Sequence, residues 1–587
     1  MPKELSDIIG AALRPRRDGE GKLLSLDEAV GRYVRPRMKL HLAAGIGGPS
    51  AAICEILRQY SGKTPEFTLI QSTLSGHALN LVHCNLVKKL ICSVCADISA
   101  SGRPSRIIQR AYGDNTIQLE NWSLCSLQQR LMAGALGVPF LPTRSVLGSS
   151  IASDNKESFR EMEDPFGSEE KVGIVEALNP DISIIHGCVG DLEGNIILSS
   201  PYGEDLWGPL ASSNGVLATV EKIVPTEFIK KYSALVKIPG CVVNAVCVAP
   251  LGLHPFSLPN PGITDFDPYE KDIDFLNELH GASKSESTLD GWIKEWVTDC
   301  ATHQHYLDKL GQGRITSLKE KSKDSRSRVM SASIPQSESR KEIDSDEMML
   351  IALSREIVNS VRTHGHRLIL AGAGTRGIAA WLAYYQLKTE ECEIELITGN
   401  GQIGYLPLPG ESILSSEASV RSSKMLTDTI TTQGVFVGGK NNKCLSVLGA
   451  IQIDKYGNIN STMTSTRQFL MGSGGANDAM NAREVIVALD QSKDRFAEEL
   501  PYITGRGKAV TTVVSTMGIF KKPSPQEELH LVACFPSAQP TSVREKVKEV
   551  QDRCGWPLKL ASQIKEISKP SQGELDLLRW LLSSPSS

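Results

Sequence analysis

Two stretches of the chain share one pattern of apolar and polar positions. Residues 39–57 and 368–382 each begin with a short apolar run, continue through closely spaced glycines and end in a second run rich in alanine, isoleucine and leucine. This pattern predicts a buried strand, a tight glycine turn and a helix. Each unit is followed later by Asp-x-x-Gly-Asn-Ile, at 191–196 and 454–459. Because the order is the same twice, the sequence predicts an α/β fold of two related open α/β domains with mainly parallel sheets.

A polar segment separates the two predicted domains. Residues 318–347 are rich in serine and in charges of both signs, and they contain few large apolar side chains. Such a segment buries too little apolar surface to order itself, so we expect a flexible linker. The predicted domains are therefore residues 1–317 and 348–587.

Composition narrows the class of protein. A chain of 587 residues is too long for one core, and 41% hydrophobic with 22% charged residues is typical of a globular protein. The net charge of -4 gives no electrostatic case for binding nucleic acid or an anionic membrane. No apolar run is long enough to span a bilayer, and the first residues lack a secretory pattern. We expect a cytoplasmic protein.

The thirteen cysteines follow no disulfide framework. Cys92 and Cys95 form the Cys-x-x-Cys of the chain, inside an apolar run. A zinc site would need a second ligand pair at suitable spacing, and none follows. The sequence therefore predicts free, mostly buried thiols and no metal site.

The stretch 472–478, Gly-Ser-Gly-Gly-Ala-Asn-Asp, precedes the apolar run 485–489. Two adjacent glycines let the backbone turn sharply and let a substrate approach the amide nitrogens, since no Cβ shields them. Such a loop can present N–H donors to a carbonyl oxygen on which negative charge develops. An ordinary tight turn is the alternative interpretation.

A dinucleotide site is a competing interpretation of the second glycine turn. Residues 372–377 fit Gly-x-Gly-x-x-Gly after a strand, and Glu395 lies about where a ribose-binding acid would. Taken alone, this motif suggests an NAD-binding oxidoreductase. However, the sister turn carries Ser50 in place of the third glycine, and Thr375 is a reasonable helix N-cap. Strand-to-helix geometry therefore explains the glycines without a nucleotide, and NAD remains a remote alternative.

Several short motifs resemble the two chains of glutaconate CoA-transferase, a family I CoA-transferase. Residues 435–439, 448–462 and the loop 472–478 resemble its B chain in order and spacing, and residues 119–124 and 245–255 are among those that resemble its A chain. The resemblance implies a fused A–B chain whose active site lies between the halves. It implies acyl-CoA and a carboxylic acid acceptor as substrates, with coenzyme A as a substrate rather than a permanently bound cofactor. A fused chain of this kind also suggests a homodimer.

The resemblance assigns roles to particular residues. Gly474, Gly475, Ala476 and Asn477 would hold the thioester oxygen, and Gly372, Gly374 and Thr375 would line a facing turn. In the family, a glutamate within Glu-Ser-Gly or Glu-Asn-Gly attacks the acyl-CoA and forms a glutamyl-CoA thioester.

This chain departs from that pattern at the nucleophile. Alignment on Asn400 and Gly401 places Gly399 at the glutamate position, and a glycine has no side chain that could form the adduct. A shift of one residue places Thr398 there, which offers no carboxylate. Glu395 and Glu411 are nearby acids, although a surface carboxylate is the better interpretation of each.

Two further side chains are candidates in the first half. Glu120 matches an acid that lines the family's substrate pocket, and it is predicted as a general base. A helix N-terminal acid is an equally good interpretation of Glu120. His186 matches a family histidine, yet a satisfied core histidine is favoured.

The sequence therefore predicts an acyl-CoA enzyme of the CoA-transferase family. Because Gly399 lacks a carboxylate, hydrolysis or decarboxylation of a CoA thioester competes with transfer between acids. A catalytically inactive binding partner is a third class.

Overall fold

The computed structural model describes residues 4–13, 21–43, 47–97, 103–167, 170–331, 342–372, 374–409, 416–536 and 542–583. The helices are α1 (Leu5–Leu13), α2 (Leu26–Tyr33), α3 (Ser50–Tyr60), α4 (His77–His83), α5 (Arg106–Gly113), α6 (Leu124–Leu136), α7 (Ser150–Asp154), α8 (Trp207–Ala211), α9 (Thr226–Lys231), α10 (Ile273–Ala282), α11 (Glu286–Ile293), α12 (His303–Leu310), α13 (Gln312–Ser331), α14 (Ser345–His364), α15 (Gly377–Thr389), α16 (Glu417–Ser422), α17 (Ala476–Ala479), α18 (Val543–Asp552) and α19 (Gln572–Leu582). Two segments, Lys294–Thr298 and Ile430–Val437, are π-helical.

The strands of the first half are β1 (Lys39–Leu42), β2 (Phe67–Leu74), β3 (Val87–Asp97), β4 (Arg103–Pro104), β5 (Gln118–Asn121), β6 (Phe140–Thr143), β7 (Phe159–Glu163), β8 (Lys171–Glu176), β9 (Ile182–Gly190), β10 (Ile196–Ile197), β11 (Val216–Ile223), β12 (Val236–Ile238) and β13 (Val243–Val248). Those of the second half are β14 (Leu368–Ala371), β15 (Glu395–Ile397), β16 (Gln402–Ile403), β17 (Met425–Leu426), β18 (Cys444–Gly449), β19 (Gln452–Ile453), β20 (Ile459–Asn460), β21 (Glu484–Leu489), β22 (Val510–Ser515), β23 (Gly518–Lys521), β24 (His530–Cys534) and β25 (Lys559–Glu566).

The two halves have the same central sheet. In the first half, β13, β11, β9, β1 and β2 lie side by side and run parallel. In the second half, β22, β21, β18, β14 and β15 repeat that order and direction. Strand β21 is buried along its whole length, as expected for a parallel strand covered on both faces. The predicted fold class, two related α/β halves with mainly parallel sheets, is confirmed.

The repeated Asp-x-x-Gly-Asn-Ile motif forms the same turn in both halves. Asp191 accepts hydrogen bonds from the backbone N–H groups of Glu193 and Asn195, at 3.0 and 2.9 Å. Asp454 accepts the equivalent bonds from Tyr456 and Asn458, both at 2.9 Å. The glycine of each motif has a positive φ, +91° and +79°, which explains why glycine is needed there.

The predicted linker is helical at both of its ends. Helix α13 continues through Ser331, and α14 begins at Ser345; residues 332–341 lie outside the described residues. Leu318 is buried, and its carbonyl accepts a hydrogen bond from the Glu270 N–H at 3.1 Å. Asp344 and Glu347 form a capping box at the start of α14. The average composition of residues 318–347 does not reveal these individual contacts. The domain boundaries remain a prediction.

In the described part of the chain, no helix is long and apolar enough to cross a membrane. All thirteen cysteines are free thiols. The thiols of Cys92 and Cys95 are buried on β3 with their sulfur atoms 3.3 Å apart. The prediction of mostly buried, unpaired thiols is confirmed.

Candidate active site

The double-glycine loop, residues 472–478, lies between the two halves. Its Gly472 forms an antiparallel bridge with Val94 at the end of β3, and the Met471 carbonyl accepts a hydrogen bond from the Cys95 N–H at 2.9 Å. A Cβ atom built on Gly472 would lie 2.4 Å from the Ser93 carbonyl oxygen. Glycine is therefore required for this close approach of the two backbones. The loop thus meets the first half along the edge where β3 ends.

Two of the predicted oxyanion donors already have backbone partners, one in the first half and one within the loop. The Gly474 N–H donates to the Ser93 carbonyl at 3.1 Å, and the Ala476 N–H donates to the Ser473 carbonyl at 3.0 Å. Gly474, Gly475 and Ala476 are partly exposed, so a ligand can approach this bend. Because two of the four N–H groups are already bonded, the geometry narrows the prediction to Gly475 and Asn477.

Asn477 serves the interface with its side chain. Its Oδ1 accepts from the Val146 N–H at 2.7 Å, and its Nδ2 donates to the Thr504 carbonyl at 2.8 Å. The side chain is 5% exposed, so both of its functional groups are committed inside the protein. Asn477 therefore positions the loop against the first half rather than pointing a side chain at a substrate.

Asp478 is a buried acid that the sequence reasoning missed. It is 1% exposed, and it accepts hydrogen bonds from the Cys125 N–H at 2.9 Å and the Ser145 hydroxyl at 2.7 Å. Burial raises the pKa of Asp478 to about 6. Its place at the end of the loop motif was the available signal. Asp478 therefore links the two halves next to the bend formed by residues 474–476.

Gly399 lies against the side chain of Gln433. A Cβ atom built on Gly399 would lie 2.4 Å from Gln433 Nε2, and one built on Gly475 would lie 2.7 Å from the same atom. The Gln433 amide therefore occupies the space in which a side chain at position 399 would begin. Gln433 is 3% exposed, and its Oε1 has no hydrogen-bond partner within the described parts of the chain. No motif marks Gln433, so sequence reasoning missed it.

Local structure explains how Gln433 reaches this position. It lies in the π-helical segment Ile430–Val437, a conformation often found at functional sites. Thr432, the preceding residue, donates from its hydroxyl to the Gly399 carbonyl at 3.0 Å. The segment is therefore tied to the end of β15, with the Gln433 amide between that end and the double-glycine loop.

A cavity of about 210 Å³ opens between the halves beside Gln433. Its first-half wall contains Cys125, Gln129, Pro142, Thr143, Arg144, Ser145 and Val172, and its second-half wall contains Gln433, Gly434, Gly438 and Asn481. Arg144 is the charged residue of this lining, and its guanidinium donates to the Gly438 carbonyl at 3.1 Å. The bend, Gln433 and this cavity form one region at the junction of the halves.

Asn400 faces the first half. A Cβ atom built on Gly203 would lie 3.6 Å from the Asn400 carbonyl oxygen and 3.8 Å from its Cβ. The Asn400 Oδ1 also accepts a hydrogen bond from the Thr398 hydroxyl. The structure therefore brings the segment 398–400 to the same junction as the double-glycine loop.

Glu120 lies on β5 in a cluster of cations. Its carboxylate pairs with Lys89 at 2.6 Å and with the buried Arg130, and it accepts from the Trp122 indole at 2.8 Å. Burial acts to raise the pKa of Glu120, but the charge of Arg130 and the hydrogen bonds from Lys89 and Trp122 outweigh it and hold the pKa below its usual value. A carboxylate held in this way is a weak proton acceptor. The geometry thus favours a structural role for Glu120 over the predicted general base.

The second glycine turn, residues 372–377, differs from the prediction at the start of the helix that follows it. The Gly372 N–H donates to the Val447 carbonyl at 2.9 Å, which places this turn at the end of β14 beside β18, while the double-glycine loop lies against β3 and α6. The prediction that Thr375 caps α15 is wrong. Arg376 is the N-cap and makes no side-chain capping bond, because backbone bonds from Gly377 to Gly374 and from Ile378 to Thr375 close the turn instead.

Glu395 is engaged by lysines. Its carboxylate lies 2.5 Å from the Lys424 ammonium and 3.6 Å from that of Lys388. These contacts leave no support for a ribose-binding role or for a nucleophile that moves to position 399. Glu411 lies outside the described residues.

His186 is a satisfied core histidine, as favoured by the sequence. Its ring nitrogens contact the Thr219 hydroxyl at 2.9 Å and the Glu221 carboxylate at 3.0 Å. One group within the described residues has ligand atoms close enough for a metal ion, His364, His366 and Glu484. Glu484 already accepts from both imidazoles, at 2.7 and 2.8 Å, so hydrogen bonding accounts for this cluster.

The chain is similar to known coenzyme A transferases. Residues 23–249 match the family model described as coenzyme A transferase. The A chain of glutaconate CoA-transferase from Acidaminococcus fermentans is 29% identical over 318 residues, which is 51% of this chain and 94% of the relative. The B chain of 3-oxoadipate CoA-transferase from Pseudomonas knackmussii is 28% identical over 261 residues, which is 40% of this chain and 92% of the relative.

Both halves of the chain are similar to coenzyme A transferases. Relatives of the A type and of the B type match different parts of it, as expected for a fused A–B chain. The IpdA component of a cholesterol ring-cleaving hydrolase from Rhodococcus jostii is 27% identical, over 47% of this chain and 92% of that relative. An acyl-CoA transferase structure from Escherichia coli O157:H7 covers 97% of this chain and 100% of its own length, with a TM-score of 0.63 and 16% identity, so the two share a fold.

The protein is an enzyme, and the coenzyme A transferases that it resembles use CoA as a substrate. The predicted resemblance to glutaconate CoA-transferase, with A-like and B-like parts in one chain, is confirmed. These relatives give no support to the NAD alternative. The roles of individual residues at the junction remain predictions.

Proposed function

We propose that this chain cleaves an acyl-CoA thioester by direct attack of water, without a covalent adduct at position 399. The observation that carries the proposal is the contact between Gly399 and Gln433. Where the family's glutamate would stand, a glycine meets a carboxamide, and a carboxamide does not form the glutamyl-CoA thioester. Such a site retains the means to polarise a thioester but lacks the carboxylate for the two-step transfer.

The surroundings of Gln433 support binding of a thioester oxygen. Gly475 is partly exposed, and a Cβ atom built on it would lie 2.7 Å from Gln433 Nε2. The Gly475 N–H and the Gln433 amide N–H would both donate to that oxygen as charge develops on it. Loss of one such donor typically lowers kcat by about 10²–10³.

The reaction class is tested with acetyl-CoA, succinyl-CoA and glutaryl-CoA. Free thiol is followed with and without acetate, and the enzyme is treated with borohydride during turnover. Hydrolysis predicts thiol release without acetate and no borohydride-sensitive enzyme thioester. Carbon dioxide release with CoA still esterified would indicate decarboxylation instead. If the protein binds CoA but shows no thiol release, carbon dioxide release or CoA exchange, the proposal is refuted and the chain is a binding protein.

Transfer of CoA between carboxylic acids is the second candidate. Its support is that relatives named as CoA-transferases match both halves of the chain. Transfer would require a different carboxylate in place of position 399. Acetate-dependent exchange of labelled CoA, with a trapped enzyme thioester, would establish this function over hydrolysis.

The assembly and location form part of the proposal. We expect a cytoplasmic homodimer that uses coenzyme A only as a substrate and holds no permanent cofactor. Light scattering on the purified chain tests the dimer, cell fractionation tests the location, and mass spectrometry under native conditions tests for a bound group.

A further inference from the structure

The loop 200–205 is the first half's counterpart of the double-glycine loop. It follows β10 and leads into α8 and β11, as the double-glycine loop follows β20 and leads into α17 and β21. It also crosses to the other half in the same manner. The Tyr202 N–H donates to the Thr427 carbonyl, and the Thr429 N–H donates to the Gly203 carbonyl, both at 3.0 Å. Each half therefore extends one loop against the other.

Glu204 stands in this loop beside the position of the missing nucleophile. The preceding residue, Gly203, is the one that faces Asn400, directly after Gly399. The Thr73 hydroxyl donates to Glu204 Oε1 at 3.3 Å. The Glu204 carboxyl is thereby placed at the end of β2, on the side of the first sheet that meets the second half.

The same carboxyl lies near the double-glycine bend. Thr73 on β2 pairs with Val94 on β3, and the Val94 Cβ is 3.8 Å from a Cβ built on Gly474. Thr73, Val94, Gly474 and Glu204 are all partly exposed, so solvent reaches each of them. Glu204 is therefore an acid between the end of β15 and the loop that is proposed to bind the thioester oxygen.

We infer that Glu204 is a catalytic residue, the proton donor to the departing CoA thiolate in cleavage of an acyl-CoA thioester. Water adds to the carbonyl carbon and the carbon–sulfur bond breaks. The carboxyl proton of Glu204 passes to the sulfur, and one proton of the water returns to the Glu204 carboxylate. The products are a carboxylic acid and free CoA, and Glu204 ends the cycle protonated.

The charges around Glu204 favour a protonated carboxyl. Burial, together with the neighbouring Asp205, raises its pKa to about 8, against a smaller lowering by the Thr73 hydrogen bond. On the facing segment, the Asp428 carboxylate accepts from the N–H and hydroxyl of Thr431, at 3.0 and 2.9 Å. A group that titrates near the working pH can both give and regain a proton.

The inference rests on the proposed hydrolysis, and the first measurement needs no substrate. The melting temperatures of the wild type and Glu204→Gln are compared from pH 5 to pH 9. A carboxyl with a raised pKa stabilises the folded state at low pH and loses that contribution as pH rises through about 8. The wild type should therefore lose stability relative to Glu204→Gln over this range. A constant difference would overturn the inference.

The second measurement is thiol release from acetyl-CoA, succinyl-CoA and glutaryl-CoA. Wild-type kcat should fall as pH rises above about 8, and Glu204→Gln should lower kcat by about 10²–10⁴ and remove that limb. Thr73→Val should move the limb to higher pH, because the hydrogen bond that lowers the pKa is lost. The exposed Glu227→Gln on α9 is the matched control and should leave rate and profile unchanged.

The outcomes separate the two proposals. Wild-type turnover that Glu204→Gln leaves unaltered would overturn the role of Glu204 and leave hydrolysis standing. Activity that rises through pH 8, or a borohydride-trapped thioester at Glu204, would also overturn the donor role, since either requires the carboxylate form. No thiol release by the wild type would refute the proposed function itself, and the donor role with it.

Discussion

Alanine at position 399 tests whether the Gln433 amide has replaced the side chain that this strand end would otherwise carry. Gly399 is not among the glycines with positive φ, so its backbone would accept an L side chain. The obstacle is steric, because a Cβ would lie 2.4 Å from Gln433 Nε2, whereas ordinary contacts are 3.4–4 Å. Because Nε2 is the far end of a flexible side chain, a shift of the Gln433 amide can relieve the overlap, so the expected cost is about 1 kcal/mol, the low end of the range for overpacking.

The steric cost should disappear when Gln433 is shortened. Gly399→Ala should lower the melting temperature of the second half by roughly 2–4 °C for each kcal/mol, and Gly399→Ala with Gln433→Ala should recover most of that loss. The expected coupling free energy between the two sites is about 1 kcal/mol, with the double mutant more stable than the sum of the single effects predicts. Additive effects of the two substitutions, or a Gly399→Ala protein as stable as the wild type, would refute the reasoning.

The same geometry predicts how covalent chemistry can be restored. Gly399→Glu combined with Gln433→Ala provides both the carboxylate and the room for it, so acyl-CoA should yield a borohydride-sensitive enzyme thioester. Gln433→Ala alone is the control and should yield none. An equal yield from Gly399→Glu with Gln433 intact would contradict the view that the amide blocks this site.

Three further predictions concern the contacts of Glu120, Asp478 and Glu484. Glu120→Gln should destabilise the protein by leaving Lys89 and Arg130 without their carboxylate, but should lower kcat for thiol release by less than tenfold; a loss of 10²–10⁴ would instead favour the general base. Asp478→Asn should cost about 1–3 kcal/mol, because an amide cannot accept from both Cys125 and Ser145. Since the pKa of Asp478 is raised to about 6, the advantage of the wild type in melting temperature should be largest below pH 4 and shrink as pH rises to 6. Glu484→Gln should be less stable than the wild type from pH 5 to 8, and the difference should close only at lower pH, because its hydrogen bonds lower the pKa of Glu484 to about 2; a gap that closes near neutral pH would contradict this.

The sequence by itself determined the features that depend on nearby residues. The two Asp-x-x-Gly-Asn-Ile turns are set by hydrogen bonds and backbone conformations within a few positions. Their repetition in one order was enough to predict two related α/β halves. The prediction that Gly399 takes the place of the family's glutamate also came from the sequence, because alignment on Asn400 and Gly401 fixes that position.

Tertiary structure decided which side chains meet at the junction. Gln433 is 34 positions from Gly399, and its approach depends on a π-helical segment that no local pattern announces. Glu204 and Asp478 acquire their environments from Thr73 and Cys125, residues far away in the chain. Leu318, at the start of the predicted linker, is buried in the core of the first half. In each case long-range packing fixed the position of a side chain, and for Glu204 and Asp478 it also raised the pKa. Neighbouring residues in the sequence carry no record of that packing.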